Sequence, residues 1–397
     1  MNSAYIIDAV RTPIGKYGGA LSSVRPDDLL AMAFKGLMER NSTVDPRQIE
    51  EVIAGAANQA GEDNRNVARM SALLAGLPAE VGGTTVNRLC ASGLQAIMDG
   101  SRQIISGDAE MIISGGVESM TRAPYVLSKS SEAFSRSQEM FDTTMGWRFI
   151  NKQLAALYHP YSMGETAENV AKQWKIGREA QDVFALGSQE KYAMALKAGK
   201  WQSEILPVSI NKGKETQVVE RDEHPRKTTI EQLTALKPAF IKDGTVTAGN
   251  SSGINDGASA MLLANEDVVK KYGLTPMARI AGMAVAGVDP AIMGIGPVPA
   301  AEKAMKRAGL RIQDLDLIEL NEAFASQSIA CIHDLGLDME RVNVNGGAIA
   351  LGHPLGCSGV RISTTLLHEL RRRKNKYGLA TMCVGVGQGA AIIYESL

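Results

Sequence analysis

The chain has 397 residues, 42 basic and 43 acidic, and a formal net charge of −1. Both signs are spread along its length, which excludes a dominant electrostatic partner such as nucleic acid or an anionic membrane surface. At roughly 150 residues per domain the length predicts two or three domains, and four scattered cysteines, Cys90, Cys331, Cys357 and Cys383, are neither a disulfide framework nor a zinc site.

In chain order, hydrophobic patterning predicts a strand over 5–10, a helix over 27–39, a strand over 52–57, a helix over 66–74, a strand closing at Val86, a helix over 94–105 and a buried strand over 111–116. That alternation predicts an α/β layered domain with a largely parallel sheet. Residues 121–242 break the rhythm with helices over 164–174 and 179–197 and charged, irregular stretches such as 212–227, and read as an inserted lid that would bind the remote part of a substrate. Strands over 245–248 and 258–264 resume the pattern. The second part runs strand 278–286, helix 299–308, strand 315–320, helix 325–335, strand 342–344, a helix after Gly356, and strands over 379–384 and 390–394. No basic segment followed by an apolar run opens the chain and no run reaches 18 apolar residues, so neither a signal peptide nor a membrane span is expected. The closing Glu395-Ser396-Leu397 falls short of the Ser-Lys-Leu peroxisomal address. Few cysteines and no leader point to a reduced, cytoplasmic setting.

The two parts resemble each other. Val86-Asn87 and Cys90-Ala91-Ser92-Gly93 answer Val342-Asn343 and Gly356-Cys357-Ser358-Gly359, and Ile113-Ser114-Gly115-Gly116 answers Val384-Gly385-Val386-Gly387. Cys90 and Cys357 stand almost as far apart as Glu51 and Leu317, the offset expected of an internal duplication.

Several residues in this frame are suited to chemistry. Cys90 lies between a strand and a helix start, where the helix dipole favours thiolate, although a small buried thiol is the commoner reading of an isolated cysteine. His353 stands in a glycine-rich run, Asn345-Gly346-Gly347-Ala348-Ile349-Ala350-Leu351-Gly352-His353-Pro354-Leu355-Gly356, in the half-repeat that matches the Cys90 turn. Pro354 keeps it out of helical geometry, and the matched turn would let it face the thiol. Cys383 ends a strand before Gly385-Val386-Gly387-Gln388-Gly389, whose free N–H groups can hold an oxyanion. The chain ends too soon after these glycines for a dinucleotide fingerprint. Asn321 and Glu322 follow a strand, where Asn321 would orient a water or cap the next helix. Cys331 and Cys357 read as packing residues, and His159, His224, His333 and His368 show no partner pattern.

These motifs resemble the thiolase signatures: Leu89-Cys90-Ala91-Ser92-Gly93, Asn321-Glu322-Ala323-Phe324, the glycine-rich 346–359 run, Cys383-Val384-Gly385-Val386-Gly387, Thr247-Ala248-Gly249-Asn250-Ser251-Ser252-Gly253 and Met163-Gly164-Glu165-Thr166-Ala167-Glu168-Asn169. Their order and spacing match over essentially the whole chain. The resemblance implies the thiolase fold, an α/β fold in which two duplicated βαβαβαββ halves form a five-layer αβαβα sandwich. Residues 1–120 and 243–273 would form the N-terminal half, 121–242 an inserted loop domain that binds CoA, and 274–397 the C-terminal half. It implies reversible thiolytic cleavage of a 3-oxoacyl-CoA. Cys90 would be the acylated nucleophile, His353 its base and Cys383 the acid–base for the acetyl-CoA enolate. A water on Asn321 together with His353 would form one oxyanion hole, and the N–H groups of Cys90 and Gly385 the other. The CoA body would lie along Met163, Arg226, Phe240, Ala248, Ser252 and Phe324. CoA thioesters would be substrates, with no metal and no bound cofactor, and the family is usually dimeric or tetrameric.

Ser162 stands where short-chain biosynthetic members carry His, and stretches at 19–24, 58–70 and 139–149 look closer to degradative 3-oxoadipyl-CoA thiolases. Gly164 and Ala91 depart from those in turn, where Pro and Gly are usual. Alternatives are an acetoacetyl-CoA thiolase working in the condensing direction, a condensing ketoacyl synthase with one catalytic cysteine, and a non-catalytic acyl-CoA binder. The second cysteine and the full set of reactive positions argue against the last two.

Overall fold

The computed structural model describes residues 3–397. The first half lays down β1 (Tyr5–Arg11), α1 (Pro26–Arg40), β2 (Glu51–Gly55), α2 (Val67–Leu74), β3 (Gly82–Val86), α3 (Ser92–Ser106) and β4 (Met111–Ser119). The insertion contributes α4 (Met163–Gln173), α5 (Arg178–Lys197) and two small hairpins, one of them, Val208–Lys212 with Glu215–Val219, in the stretch expected to be irregular. Then β5 (Asn255–Ala264) returns to the first sheet. The second half follows as β6 (Ala278–Gly287), α6 (Pro297–Ala308), β7 (Leu317–Leu320), α7 (Ala325–Leu335), α8 (Leu355–Arg373), β8 (Tyr377–Val384) and β9 (Gln388–Ser396).

In the first half-sheet β2 lies parallel between β3 and β4, and β5 and β1 add on antiparallel. In the second, β7 runs parallel to β8, and β9 and β6 follow antiparallel. The half-sheets join where Tyr5 and Ile6 pair with Arg279 and Ala278, so one continuous path of strands crosses the molecule.

Period-two alternation sorts the layers. Ile113 and Leu262 pack outward against Leu30, Phe34 and Leu37 of α1, while their neighbours Ile112 and Leu263 point inward to Leu94 and Ile97 of α3 and Leu366 of α8. Ile392 meets that same inner layer, and Ile393 turns to Ala300 and Ala304 of α6 on the far side. The result is five layers, with α3 and α8 buried between the half-sheets. Strands covered on both faces have no polar side to show, hence the near-continuous apolar runs of β4 and β5.

The two inner helices approach closely because glycines line their contact. A Cβ on Gly93 would stand 2.7 Å from the carbonyl oxygen of Gly356, and one on Gly359 would overlap the backbone of Leu94. The beginnings of α3 and α8 are therefore in backbone contact, which places the Cys90 turn against the start of α8.

Two expected strands are not strands. At 342–344 only Val342 bridges to Ile318. Asn343, in the left-handed region at φ 46°, gives its side chain to the partner strand instead: Oδ1 accepts from Leu320 N (2.9 Å) and Nδ2 donates to Leu320 O (2.8 Å). At 245–248 the N–H groups of Thr245 and Val246 go to the buried Glu168 carboxylate and that of Thr247 to Asn250 Oδ1, leaving no ladder.

The insertion packs chiefly on the second half. Tyr192 and Trp201 meet Ala350 and Leu351, Ala185 meets Ala325 and Ile349, and Val170 meets Ala330. Arg11, wholly buried in β1, clamps its far end to the first half through Glu204 Oε1 (2.5 Å) and Asp222 Oδ1 (2.6 Å). Among the described residues no helix is long and apolar enough to cross a membrane.

Candidate active site

Cys90 sits in a single 3₁₀ turn, Leu89–Ala91, between β3 and α3. Leu89 is held at φ 45°, and Asn87 Oδ1 accepts its N–H at 2.8 Å. Ser92 closes the turn from below: its hydroxyl accepts from Arg88 N (2.9 Å) and donates to Leu89 O (2.7 Å). Opposite lies the turn between β8 and β9, where Val386 (φ 62°) and Gly387 (φ 78°) are left-handed in succession. A β-branched residue there stores strain. The N–H groups of Gly385 and of Cys90 itself both act to lower the Cys90 thiol. Cys90 is partly buried, whereas Cys331, Cys357 and Cys383 are buried.

Helix-end stabilisation of a Cys90 thiolate does not prevail. Burial pushes the thiol up to about 11, and the two N–H groups only partly oppose it. Lost hydration is the largest effect on the thiol, and the Glu118 carboxylate adds to it. A group must therefore take the proton. Burial drives His353 down to about 3, with Arg361 adding to the effect, so the ring is neutral at physiological pH and free to accept one.

His353 is placed by contacts from three elements. Its backbone N–H donates to Asn255 Oδ1 (3.0 Å) at the start of β5, and Asn255 Nδ2 donates to Gly15 O (2.9 Å). Gly352, at φ 105°, leaves room for that amide. Glu118, buried at the end of β4, accepts from Gly356 N (2.8 Å), Ala57 N (3.0 Å) and Asn58 N (3.0 Å), tying the start of α8 to the first sheet. The ring Nδ1 lies 2.6 Å from Ser358 Oγ. Sequence reasoning missed Glu118, Asn255 and Ser358. The available signal was a lone carboxylate in an otherwise apolar strand.

The neutral ring has a consequence for stability. Between pH about 6.5 and 3 the unfolded chain binds a proton on this histidine that the folded chain does not, so its contribution is present above that window and is lost as pH falls through it. We expect the unfolding free energy of the native protein to fall on acidification from pH 7 to 4 more steeply than that of His353→Asn, by up to about 1.4 kcal/mol per pH unit. Parallel curves in differential scanning calorimetry would exclude a neutral buried His353.

Asn321 is wholly buried just past β7 and does not cap α7, whose N-cap is Phe324. Its Nδ2 lies 3.4 Å from His353 Nδ1 and 3.5 Å from Nε2, and among the described residues its Oδ1 has no hydrogen-bond partner. Glu322 points away: it accepts from Ser188 Oγ (2.7 Å), Asn343 Nδ2 (2.7 Å) and Ile349 N (3.1 Å), and holds the glycine-rich run to α5. Cys383 packs with Ala167, Met293, Ala323 and Phe324. Burial, and then the neighbouring Cys90, raise its thiol well above the ordinary range.

Contacts join several of the residues expected along the CoA body. Arg226 is exposed and donates through Nη2 to Ala248 O (2.8 Å). Ser252 N donates to Ala323 O (3.0 Å). Phe324 meets Phe240 edge to face at 6.1 Å between ring centres. The Phe240 ring lies over Gly164, which has no side chain to block it, and the Met163 sulfur stands 3.5 Å from where a Cβ on Gly385 would be. Ser162 caps α4 in a capping box with Glu165. Chemically, the site combines a thiol with N–H donors, a neutral imidazole, a second thiol and an apolar, N–H-rich approach. That set can form and break a thioester without a metal.

Comparison with known proteins finds relatives along the whole chain. Residues 4–267 match the model of the thiolase N-terminal domain and residues 274–396 that of the thiolase C-terminal domain. The chain is 56% identical over 399 residues to the 3-oxoadipyl-CoA/3-oxo-5,6-dehydrosuberyl-CoA thiolase of Escherichia coli strain K12, covering 100% of both. It is 48% identical over 397 residues, again 100% of both, to the acetyl-CoA acetyltransferase of Cupriavidus necator. The crystal structure of human mitochondrial 3-ketoacyl-CoA thiolase in complex with CoA superposes with a TM-score of 0.93 at 44% identity, over 100% of this chain and 98% of that one.

Proposed function

The chain belongs to the thiolase family, and on that premise we propose that it cleaves 3-oxoadipyl-CoA with CoA, in the degradative direction, to acetyl-CoA and a four-carbon dicarboxylic acyl-CoA. The observation that carries the thiolase chemistry is the second thiol, Cys383, at the end of β8 and within electrostatic reach of Cys90, since a one-cysteine condensing enzyme has no use for it.

His353 takes the Cys90 proton, and the thiolate attacks the 3-oxo carbon. Negative charge on that oxygen is received at one pair of donors and the C2–C3 bond breaks. Acetyl-CoA leaves as an enolate, its developing charge met by the other pair, and takes a proton from Cys383. CoA then gives its thiol proton to the Cys383 thiolate and attacks acyl-Cys90. Cys90 leaves as thiolate and takes back the proton held by His353, and the shortened acyl-CoA is released with Cys90, His353 and Cys383 all restored. The donor pairs are the N–H groups of Cys90 and Gly385, and His353 with a water on Asn321. The CoA body lies along Met163, Arg226, Phe240, Ala248, Ser252 and Phe324. We place the enzyme in the cytoplasm as a homodimer or homotetramer, consistent with the unpaired outer edge of β3 among the described residues.

The substrate reading is supported by greater identity to the 3-oxoadipyl-CoA enzyme than to the acetyltransferase and by Ser162 serving as a helix cap where biosynthetic members carry His. In a thiolysis panel, kcat/KM for 3-oxoadipyl-CoA is expected to exceed that for acetoacetyl-CoA by at least about tenfold, a difference of about 1.4 kcal/mol in transition-state binding. A preference for acetoacetyl-CoA would move the assignment to the acetyltransferases.

A further inference from the structure

We propose that Ser358 is a positioning residue that locks His353 in the tautomer with the proton on Nδ1, so that Nε2 is the atom that receives the Cys90 proton. This rests on the reading of His353 as the base.

The inference is a count of protons. A serine hydroxyl has one hydrogen to give and two lone pairs to receive. Ser358 Oγ has two polar neighbours, Pro354 O at 2.8 Å and His353 Nδ1 at 2.6 Å. The carbonyl can only accept. Were the hydroxyl to donate to the ring instead, two oxygens would face each other at 2.8 Å with no proton between them. Donation back to the carbonyl four residues earlier is the usual state of a helical serine, and the same helix repeats it: Ser363 Oγ donates to Gly359 O (2.9 Å) and Thr364 Oγ1 to Val360 O (2.9 Å). With its hydrogen committed, Ser358 receives, and Nδ1 must donate. The neutral ring then carries its lone pair on Nε2. Asn321 Nδ2 does not alter this, standing 3.4 Å from Nδ1 and 3.5 Å from Nε2 and so singling out neither.

The groups around the ring are consistent with one fixed orientation. Asn255 holds the backbone, Pro354 starts the helix and Glu118 anchors Gly356, so the ring is set on a rigid helix end and Ser358 selects which nitrogen faces outward. Arg361 is the charged group that acts on the ring, and it favours the neutral form whichever tautomer is present.

The test has two readouts on the full-length protein. Nitrogen–proton ring spectra of ¹⁵N-histidine-labelled enzyme, with His353 assigned by its loss in His353→Ala, should show the proton on Nδ1. Rapid-quench acylation of Cys90 by an acyl-CoA should slow about 10²-fold in Ser358→Ala, with KM little changed, and recover in Ser358→Thr, which keeps the hydroxyl. A proton on Nε2 in the native enzyme overturns the proposal, as does full acylation by a Ser358→Ala enzyme whose His353→Ala counterpart is inactive. Undiminished acylation in His353→Ala instead removes the base reading itself.

Discussion

Cys90→Ala is expected to lower kcat for thiolysis by at least about 10⁴-fold while the protein stays folded. Among the described residues Cys90 is the one partly exposed thiol, and it lies in a turn fixed by Ser92 and Asn87. Alanine fits that turn without disturbing either hydrogen bond. Cys331→Ala is the matched control: that thiol is buried in the outer core of the second half and donates to Gly294 O at 3.3 Å, and its loss should leave kcat within about threefold. Peptide mapping after mixing with an acyl-CoA should find the acyl group on Cys90. An equal loss of activity in both variants, or an acyl group on Cys383, would refute the assignment.

Cys383→Ala is expected to separate the two halves of the reaction. The thiol is buried beside Cys90 and both are protonated at rest, so each can donate before it accepts. Breaking the C2–C3 bond needs an acid for the enolate; passing an acyl group from one CoA to another through Cys90 does not. Cleavage of a 3-oxoacyl-CoA should fall by about 10³-fold, within the range for removal of a general acid. Exchange of labelled CoA into a saturated acyl-CoA should persist. Loss of both together would show that Cys383 supports the site by packing against Phe324 and Ala323 rather than by moving a proton.

Much of the architecture was legible because it is written in local terms. Short apolar runs marked β4, β5, β8 and β9, and the helices expected over 27–39 and 325–335 lie at α1 and α7 within a residue or so of their ends. The strands expected over 342–344 and 245–248 failed for one reason. Side-chain amides and carboxylates from Asn343, Glu168 and Asn250 take the bonds a neighbouring strand would have made, and a sequence pattern cannot show which distant group will do so.

The two cysteines at strand ends and the histidine held before a proline marked candidate reactive groups, because each is a local feature of a turn or a helix start, and the resemblance of the surrounding motifs to the thiolase signatures implied the chemistry. The electrostatics of those groups were not legible. Cys90 was expected as a stabilised thiolate from its place before α3, yet burial raises it, and the same burial neutralises His353. Desolvation depends on what the two inner helices and both sheets bring around the site, and Glu118, Asn255 and Ser358 reach His353 from separate elements, two of them from the other half of the chain. Local order along the chain therefore settled which elements and which reactive groups are present. Which proton sits on which atom was left to the packing, since solvation and hydrogen-bond partners are properties of assembled neighbours.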